Sequence, residues 1–201
     1  VWVAADDDLG KTRVLALLEQ LGVEVETGPH PSPGALCLLA PLGDDASESA
    51  VRHGVDPSRS VAIDTVLELG ALRCLMVNPA TRADMQDAAH ALFSRGGGQV
   101  VMLRDSCGFV LQRTLASIVN LGCDIAQQGI ASVEDIDMAV RLGLGYPHGP
   151  LAWGDRLGAG RLLLILERMH TLTGDPRYRP SIWLRRRARL GIALCSAENP
   201  M

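Results

Sequence analysis

Short apolar runs alternate with amphipathic stretches over the first half of the chain. Six runs rich in aliphatic and β-branched residues predict strands. They cover residues 1–5, 23–27, 35–40, 60–63, 73–77 and 99–103. Between them, residues 9–21 and 81–94 carry apolar side chains at helical spacing. Because the strand runs are apolar throughout instead of alternating, we expect a small doubly wound parallel sheet covered on both faces.

The pattern changes near residue 105, after which only helical periodicity continues. Ser132 and Asp135 form an S-x-x-D capping box that predicts the start of one helix. The expected helices cover residues 109–128, 132–142, 152–157, 161–173 and 182–190. We therefore expect an α/β domain over residues 1–104 and an all-helical domain over residues 105–201, without a long linker between them.

Composition excludes several classes of function. Aromatic residues make up 3% of the chain and the formal net charge is −4, which argues against a nucleic-acid partner. No apolar run approaches 18 residues and the first residues do not resemble a signal peptide, so we expect no membrane association and a cytoplasmic location. The five cysteines contain no C-x-x-C, which argues against a disulfide framework and a zinc knuckle.

The first predicted strand-to-helix turn is the place where a dinucleotide would bind in such a sheet. A pyrophosphate cradle needs glycines there, so that backbone N–H groups can reach the phosphates. The turn instead reads AADDDLGK, with Asp6, Asp7 and Asp8 in succession. We interpret these carboxylates as helix caps that oppose phosphate binding, and we expect no cofactor on this chain.

Glu167 and His170 form an E-x-x-H pair on one predicted helix face. Such pairs ligate iron in some helical bundles, but those sites need further carboxylates from other helices. We therefore expect no metal site.

Three segments of the helical half carry specific motifs. They read DSCGFVLQR at 105–113, SVEDIDMAVRLGLGYPHGPLAWGD at 132–155 and GDPRYRP at 174–180. In order and spacing they resemble the C-terminal domain of the 3-hydroxyacyl-CoA dehydrogenases. The likeness is to the second, degenerate half of long two-part bacterial enzymes associated with phenylacetate and fatty-acid degradation. The resemblance implies a degenerate Rossmann-like sheet followed by a helical dimerisation domain.

The same resemblance implies that the catalytic residues of the family are missing. Leu75 stands at the position of the family's catalytic histidine, Val66 at that of a substrate-contacting serine and Gln112 at that of an asparagine. Leucine cannot accept the hydroxyl proton. We therefore expect no catalytic residue, and we take Asn78, Gln112 and Tyr146 as candidates for one wall of a substrate cleft.

The resemblance predicts a parent enzyme that uses NAD to oxidise a 3-hydroxyacyl-CoA to the 3-oxoacyl-CoA. On this interpretation the chemistry comes from an N-terminal catalytic half of the same polypeptide, and the present segment supplies structure and a homodimer interface. Two alternatives remain open from the sequence. In the first alternative, the chain is itself a dehydrogenase with an unusual site. In the second, it is a non-redox helical interaction or acyl-CoA-binding module.

Overall fold

The computed structural model describes residues 1–196 and shows two compact units, Val1–Phe109 and a second unit that begins at Val110. The division falls after Phe109, whereas the sequence pattern changes at residue 105. Phe109 belongs to the first unit because its ring is fully buried against Ala4, Leu39 and Met76. Within residues 1–196, no helix combines the length and apolar character needed to cross a membrane.

The first unit is an α/β structure with five strands and three α-helices. Its elements are β1 (Trp2–Ala5), α1 (Asp8–Gln20), β2 (Cys37–Ala40), α2 (Ala46–Arg52), β3 (Ser60–Ile63), β4 (Leu72–Val77), α3 (Ala83–Ser94) and β5 (Gln99–Arg104). The sequence pattern did not predict α2, a short helix whose N-terminus is capped by Asp45. The Asp45 carboxylate accepts a hydrogen bond from the Glu48 N–H at 2.7 Å.

The strands form one sheet in the order β1-β2-β3-β4-β5. Neighbouring strands are parallel except β3 and β4, which pair antiparallel with Ile63 opposite Leu75. The expected parallel sheet is therefore confirmed for every pair of neighbouring strands except this one. Antiparallel pairing follows because only the short segment 64–71 joins the two strands, and a parallel crossover needs a dozen or more residues.

The expected strand at 23–27 forms a single parallel bridge, between Glu26 and Trp2. The Glu26 N–H donates to the Val1 carbonyl at 2.8 Å, which places this segment on the side of β1 away from β2. Pro29, Pro31 and Pro33 follow and cannot donate to a ladder, so the pairing goes no further. The segment after α1 thus lies on one side of β1 and β2 lies on the other. The order of strand addition reverses at β1, as it does in a doubly wound fold.

Helices cover both faces of this sheet, which agrees with that reversal. Val14 and Leu18 of α1 pack with Val3 and Leu38 on one face. Ala46 and Ala50 of α2 pack with Cys37 and Leu39 on the opposite face. Right-handed crossovers that lead in opposite directions from β1 require their helices to lie on opposite faces. The Rossmann-like fold expected from the sequence is confirmed.

The second unit contains α4 (Val110–Gln127), α5 (Val133–Leu144), α6 (Pro150–Leu157), α7 (Ala159–Thr173) and α8 (Ile182–Leu190). Helix α4 is central and packs against the other four. Gly122 allows the start of α6 to approach, because a Cβ there would lie 2.7 Å from the Pro150 Cβ. The predicted cap of α5 is present, with the Asp135 N–H donating to Ser132 Oγ at 3.1 Å.

Candidate functional site

The crevice at the carboxyl ends of β1 and β2 is the position where open α/β sheets bind their ligands. Two carboxylates occupy it in this protein. Asp6 Oδ2 accepts a hydrogen bond from the Leu42 N–H at 2.8 Å, which joins the ends of the two strands. Asp7 is the N-cap of α1, and its Oδ1 accepts from the Gly10 N–H at 2.8 Å. The crevice is therefore filled by side chains of the chain itself.

Gly10 is the glycine that remains in this turn, and its role is close packing. A Cβ at this position would lie 2.7 Å from Asp7 Oδ1 and 2.8 Å from Thr65 Oγ1. The absence of a side chain thus brings α1 against the end of β3. It does not open a space for phosphate oxygens.

Further charges surround the crevice. His53 Nε2 lies 3.6 Å from Asp6 Oδ1, and Arg52 Nε donates to Asp44 Oδ2 at 2.9 Å. Burial raises the pKa of Asp45, and the nearby charge of Asp105 acts in the same direction. A phosphate here would meet like charges at a cost on the order of 1 kcal/mol or more for each close pair. These residues do not fit a dinucleotide.

The position that the resemblance assigns to the catalytic histidine is an ordinary core position. Leu75 on β4 is fully buried and packs in the same cluster as Val61 and Phe93. An aliphatic side chain in this environment can neither accept nor donate a proton.

Val66, at the expected serine position, is also buried, and its loop is held by backbone contacts. Its N–H donates to Asp64 Oδ1 at 3.1 Å. The Arg13 guanidinium donates to the carbonyls of Thr65 and Val66 at 2.8 and 3.2 Å. The loop is thus tied to α1 through Arg13.

Asn78 uses its side-chain amide within the fold. Its Nδ2 donates to the Pro57 carbonyl at 2.9 Å, and its Oδ1 accepts from the Ala80 N–H at 2.8 Å. A cavity of about 380 Å³ lies beside it at the carboxyl ends of β4 and β5. The residues that line it are Val77, Asn78, Pro79, Gln86, Arg104 and Asp105.

The other two cleft candidates belong to the second unit. Gln112 is fully buried on α4. Tyr146 lies in the turn between α5 and α6, where its ring meets Trp153 edge to face with centroids 6.1 Å apart. The His148 ring contacts the same tryptophan, also with 6.1 Å between centroids.

Asp137, the last residue of the E-D-I-D segment, binds the start of α6. The sequence analysis did not predict this contact. Asp137 Oδ1 and Oδ2 accept hydrogen bonds from the N–H groups of Leu151 and Ala152 at 2.8 and 2.9 Å. Gly149 makes room for this, because a Cβ there would lie 2.2 Å from both Cβ and Cγ of Asp137. Asp137 therefore holds the start of α6 against α5.

Two more polar side chains join distant segments of the second unit. Asn120 Nδ2 donates to the Arg179 carbonyl at 3.0 Å, and its Oδ1 accepts from the Ser181 N–H at 2.7 Å. Asp155 accepts hydrogen bonds from the N–H groups of Leu194 and Cys195. We refer to Asn120, Asp137 and Asp155 as the polar clamps.

Other titratable groups of the second unit are also engaged in the fold. Burial raises the pKa of the Cys123 thiol to about 12, which keeps it protonated. Arg187 lies over the Trp183 ring, 3.2 Å from its centroid. Of the E-x-x-H pair, Glu167 lies 3.4 Å from an Arg185 nitrogen, and His170 Nδ1 lies 3.0 Å from the Asp175 carbonyl oxygen. Residues 1–196 contain no group of three acidic, histidine or cysteine side chains arranged for a metal.

Comparison with known proteins identifies this architecture. Residues 108–193 match the family model described as 3-hydroxyacyl-CoA dehydrogenase, C-terminal domain. In sequence, these residues are thus similar to the C-terminal domain of the 3-hydroxyacyl-CoA dehydrogenases. All three polar clamps and Gly149 lie within the matched residues.

Two curated relatives support the match. The chain is 48% identical over 94 residues to the 3-hydroxyadipyl-CoA dehydrogenase of Escherichia coli K12, which covers 47% of this chain and 20% of that protein. It is 34% identical over 120 residues to a probable 3-hydroxybutyryl-CoA dehydrogenase of Bacillus subtilis 168, over 60% of this chain and 40% of that protein. The chain thus spans less than half the length of these dehydrogenases.

Solved structures give the same result. A 3-hydroxybutyryl-CoA dehydrogenase of Escherichia coli K12 is 36% identical, with a TM-score of 0.67 over 76% of this chain and 31% of that chain. The (S)-3-hydroxybutyryl-CoA dehydrogenase of Ralstonia eutropha is 24% identical and shares the fold, with a TM-score of 0.71 over 94% of this chain and 65% of that chain.

Proposed function

We propose that this chain is the C-terminal part of an NAD-dependent 3-hydroxyacyl-CoA dehydrogenase. The parent enzyme oxidises a 3-hydroxyacyl-CoA, such as 3-hydroxybutyryl-CoA, to the 3-oxoacyl-CoA by hydride transfer to NAD. The chemistry is supplied by an N-terminal catalytic half of the same polypeptide. The present segment has a structural and dimerising role and lacks a catalytic dyad of its own.

The observation that carries this proposal is the environment of Leu75. The helical unit has the framework of the dehydrogenase C-terminal domain, yet the position of the family's histidine is a fully buried leucine of the core. Asp6 and Asp7 fill the crevice where NAD would bind. A dehydrogenase framework without a proton acceptor or a cofactor crevice favours a partner half that provides both.

The surface of the helical unit supports a role in assembly. Five large apolar side chains on α4, α5 and the adjoining turns are more than half exposed: Leu121, Ile130, Met138, Leu142 and Leu144. Large exposed apolar patches usually mark protein interfaces. We propose that these exposed side chains contribute to a surface that pairs with a second helical domain, which in the isolated chain is a copy of itself. Sedimentation equilibrium should give a dimer mass, and a monomer at tens of micromolar would contradict this.

The catalytic part is tested by NADH-dependent reduction of acetoacetyl-CoA with the purified 201-residue chain, folded by circular dichroism. We expect no turnover, since neither an acid/base group nor a cofactor crevice is available. Turnover above the buffer rate, abolished by replacing Asn78 or Gln112, would overturn the proposal and favour an active dehydrogenase. Saturable acyl-CoA binding together with no dehydrogenase half encoded upstream of Val1 would favour a non-redox acyl-CoA-binding module instead.

The substrate cleft is the finer part of the proposal. Asn78, Gln112 and Tyr146 remain our candidates for contact with the acyl-CoA in the assembled enzyme. The buried amides of Asn78 and Gln112 favour a role in shaping the cleft wall, and the half-exposed Tyr146 ring is the one of the three with accessible surface.

A further inference from the structure

The crevice of the first unit contains two backbone donors from separate parts of the fold. The Leu42 N–H follows β2, and the Gly10 N–H lies in the first turn of α1, which has 13 residues. Each donates to a carboxylate at 2.8 Å. Both lie at the carboxyl edge of the sheet, beside the reversal of strand order at β1.

Phosphate groups of dinucleotides are held by donors of this kind in doubly wound sheets. A carboxylate offers the same features to such donors, namely negative charge and acceptor oxygens. The Arg52 guanidinium also lies nearby, paired with Asp44, and His53 Nε2 lies 3.6 Å from Asp6 Oδ1. The crevice therefore fails to fit a dinucleotide because its backbone donors are already hydrogen-bonded to Asp6 and Asp7. The donors themselves are present.

We propose that Asp6 and Asp7 are built-in anions that take the place of a dinucleotide's phosphates and keep this crevice closed. The sheet unit therefore needs no nucleotide to accept hydrogen bonds from the Leu42 and Gly10 N–H groups. Removal of both carboxylates creates an anion site for a free phosphate compound. This inference rests on the geometry of the first unit and is independent of the activity proposed above.

An ordinary helix cap and a built-in anion differ in one measurable respect. Loss of a cap lowers stability whatever anion is in solution. Loss of a built-in anion lowers stability in a way that a phosphate compound reverses, because a ligand that binds only the folded state stabilises it by mass action.

The test compares four forms of the 201-residue chain: wild type, Asp6→Ala, Asp6→Ala/Asp7→Ala and the control Asp8→Ala. Asp8 is an exposed carboxylate in the same turn, so its loss removes one negative charge, as Asp6→Ala does, without removing the acceptor of either crevice donor. Thermal unfolding is followed by circular dichroism with increasing inorganic pyrophosphate, at an ionic strength held constant with chloride.

We expect pyrophosphate to raise the Tm of the double variant by about 5 °C or more, corresponding to roughly 1 kcal/mol of stabilisation in a domain of this size. Wild type and Asp8→Ala should not shift, and Asp6→Ala should shift by an intermediate amount. Equal shifts in all four proteins, or no shift in the double variant, would overturn the proposal. If the double variant is unfolded in chloride, refolding by pyrophosphate supports the proposal and failure to refold contradicts it.

Discussion

The two units of this protein use carboxylates in the same way but with different consequences. In the helical unit, Asp137 and Asp155 bind backbone N–H groups inside a framework that matches a dehydrogenase domain. In the sheet unit, Asp6 and Asp7 bind backbone N–H groups inside a crevice where a cofactor would need them. The same local interaction thus maintains the framework in one unit and closes a ligand site in the other.

The charge of the two units differs in parallel. Residues 1–109 contain 8 basic and 15 acidic residues, a net charge of −7, whereas residues 110–201 contain 11 basic and 8 acidic residues, a net charge of +3. A unit that binds phosphates would be expected to carry the positive excess. Nearly all of the residues that match the dehydrogenase family model therefore lie in the unit with the positive excess, and the sheet unit carries a negative excess that opposes phosphate binding.

The largest effect is expected from placing a histidine at Leu75, the position that the resemblance assigns to the family's catalytic histidine. Leu75→His places an imidazole in a fully buried aliphatic site and should lower the free energy of unfolding by about 4 kcal/mol, measured by urea denaturation. It should not restore acetoacetyl-CoA reduction. The control Leu75→Met keeps volume and polarity and should cost less than about 1.5 kcal/mol. An active, stable Leu75→His protein would show that the sheet unit still holds a usable cofactor and substrate site, and this would contradict the comparison.

In the helical unit, the corresponding sensitive position is Gly149. Gly149→Ala forces a Cβ onto Asp137, including its Cα at 2.4 Å, and should cost about 3 kcal/mol in urea denaturation. Gly143→Ala is the matched control, because no atom lies within 4 Å of its added Cβ and alanine favours the helix. Equal stability of the two variants would show that the α5–α6 clamp is looser than described.

A smaller loss should follow removal of the clamp carboxylate itself. Asp137→Ala leaves the N–H groups of Leu151 and Ala152 without this acceptor, at a cost of about 1 to 2 kcal/mol by thermal or urea unfolding. Asp137→Asn, which retains one acceptor oxygen, should recover part of the loss. The exposed Glu134→Ala serves as control and should stay within about 0.5 kcal/mol of wild type.

The smallest effect concerns pH dependence in the sheet unit. Hydrogen bonds from Ser32 lower the pKa of Glu26 below its usual value. The stabilisation is therefore present above the unfolded-state pKa near 4.5 and disappears as pH falls through the lower folded-state pKa. Glu26→Gln should reduce the pH dependence of the unfolding midpoint below pH 5. Glu24→Gln, at an exposed carboxylate, should leave that dependence unchanged.

Local pattern was sufficient for much of the fold. The bounds of β3 and α8 coincide with those expected, because each is an apolar or amphipathic run ended by clear polar or glycine signals. Helix α2 was missed because its sequence, ASESAVR, is short and presents only a few small buried residues. Strand direction was also missed, since an apolar run is the same whichever way the strand points.

The contacts that define the sites depend on residues far apart in sequence. Asp137 with Gly149 and Asp6 with Leu42 are such pairs, and no periodicity in the chain connects their members. Sequence reasoning did anticipate that the aspartates of the first turn act as caps, and Asp7 does so. It could not identify Leu42 as the partner of Asp6, because that contact depends on how β1 and β2 pair.

Titration of NADH into the folded 201-residue chain, followed by isothermal calorimetry, tests the central claim most directly. The account predicts no saturable binding, because Asp6 and Asp7 already hold the donors of the crevice. Stoichiometric NADH binding to the wild-type chain at micromolar concentration would contradict this claim. It would indicate that the sheet unit retains a cofactor site.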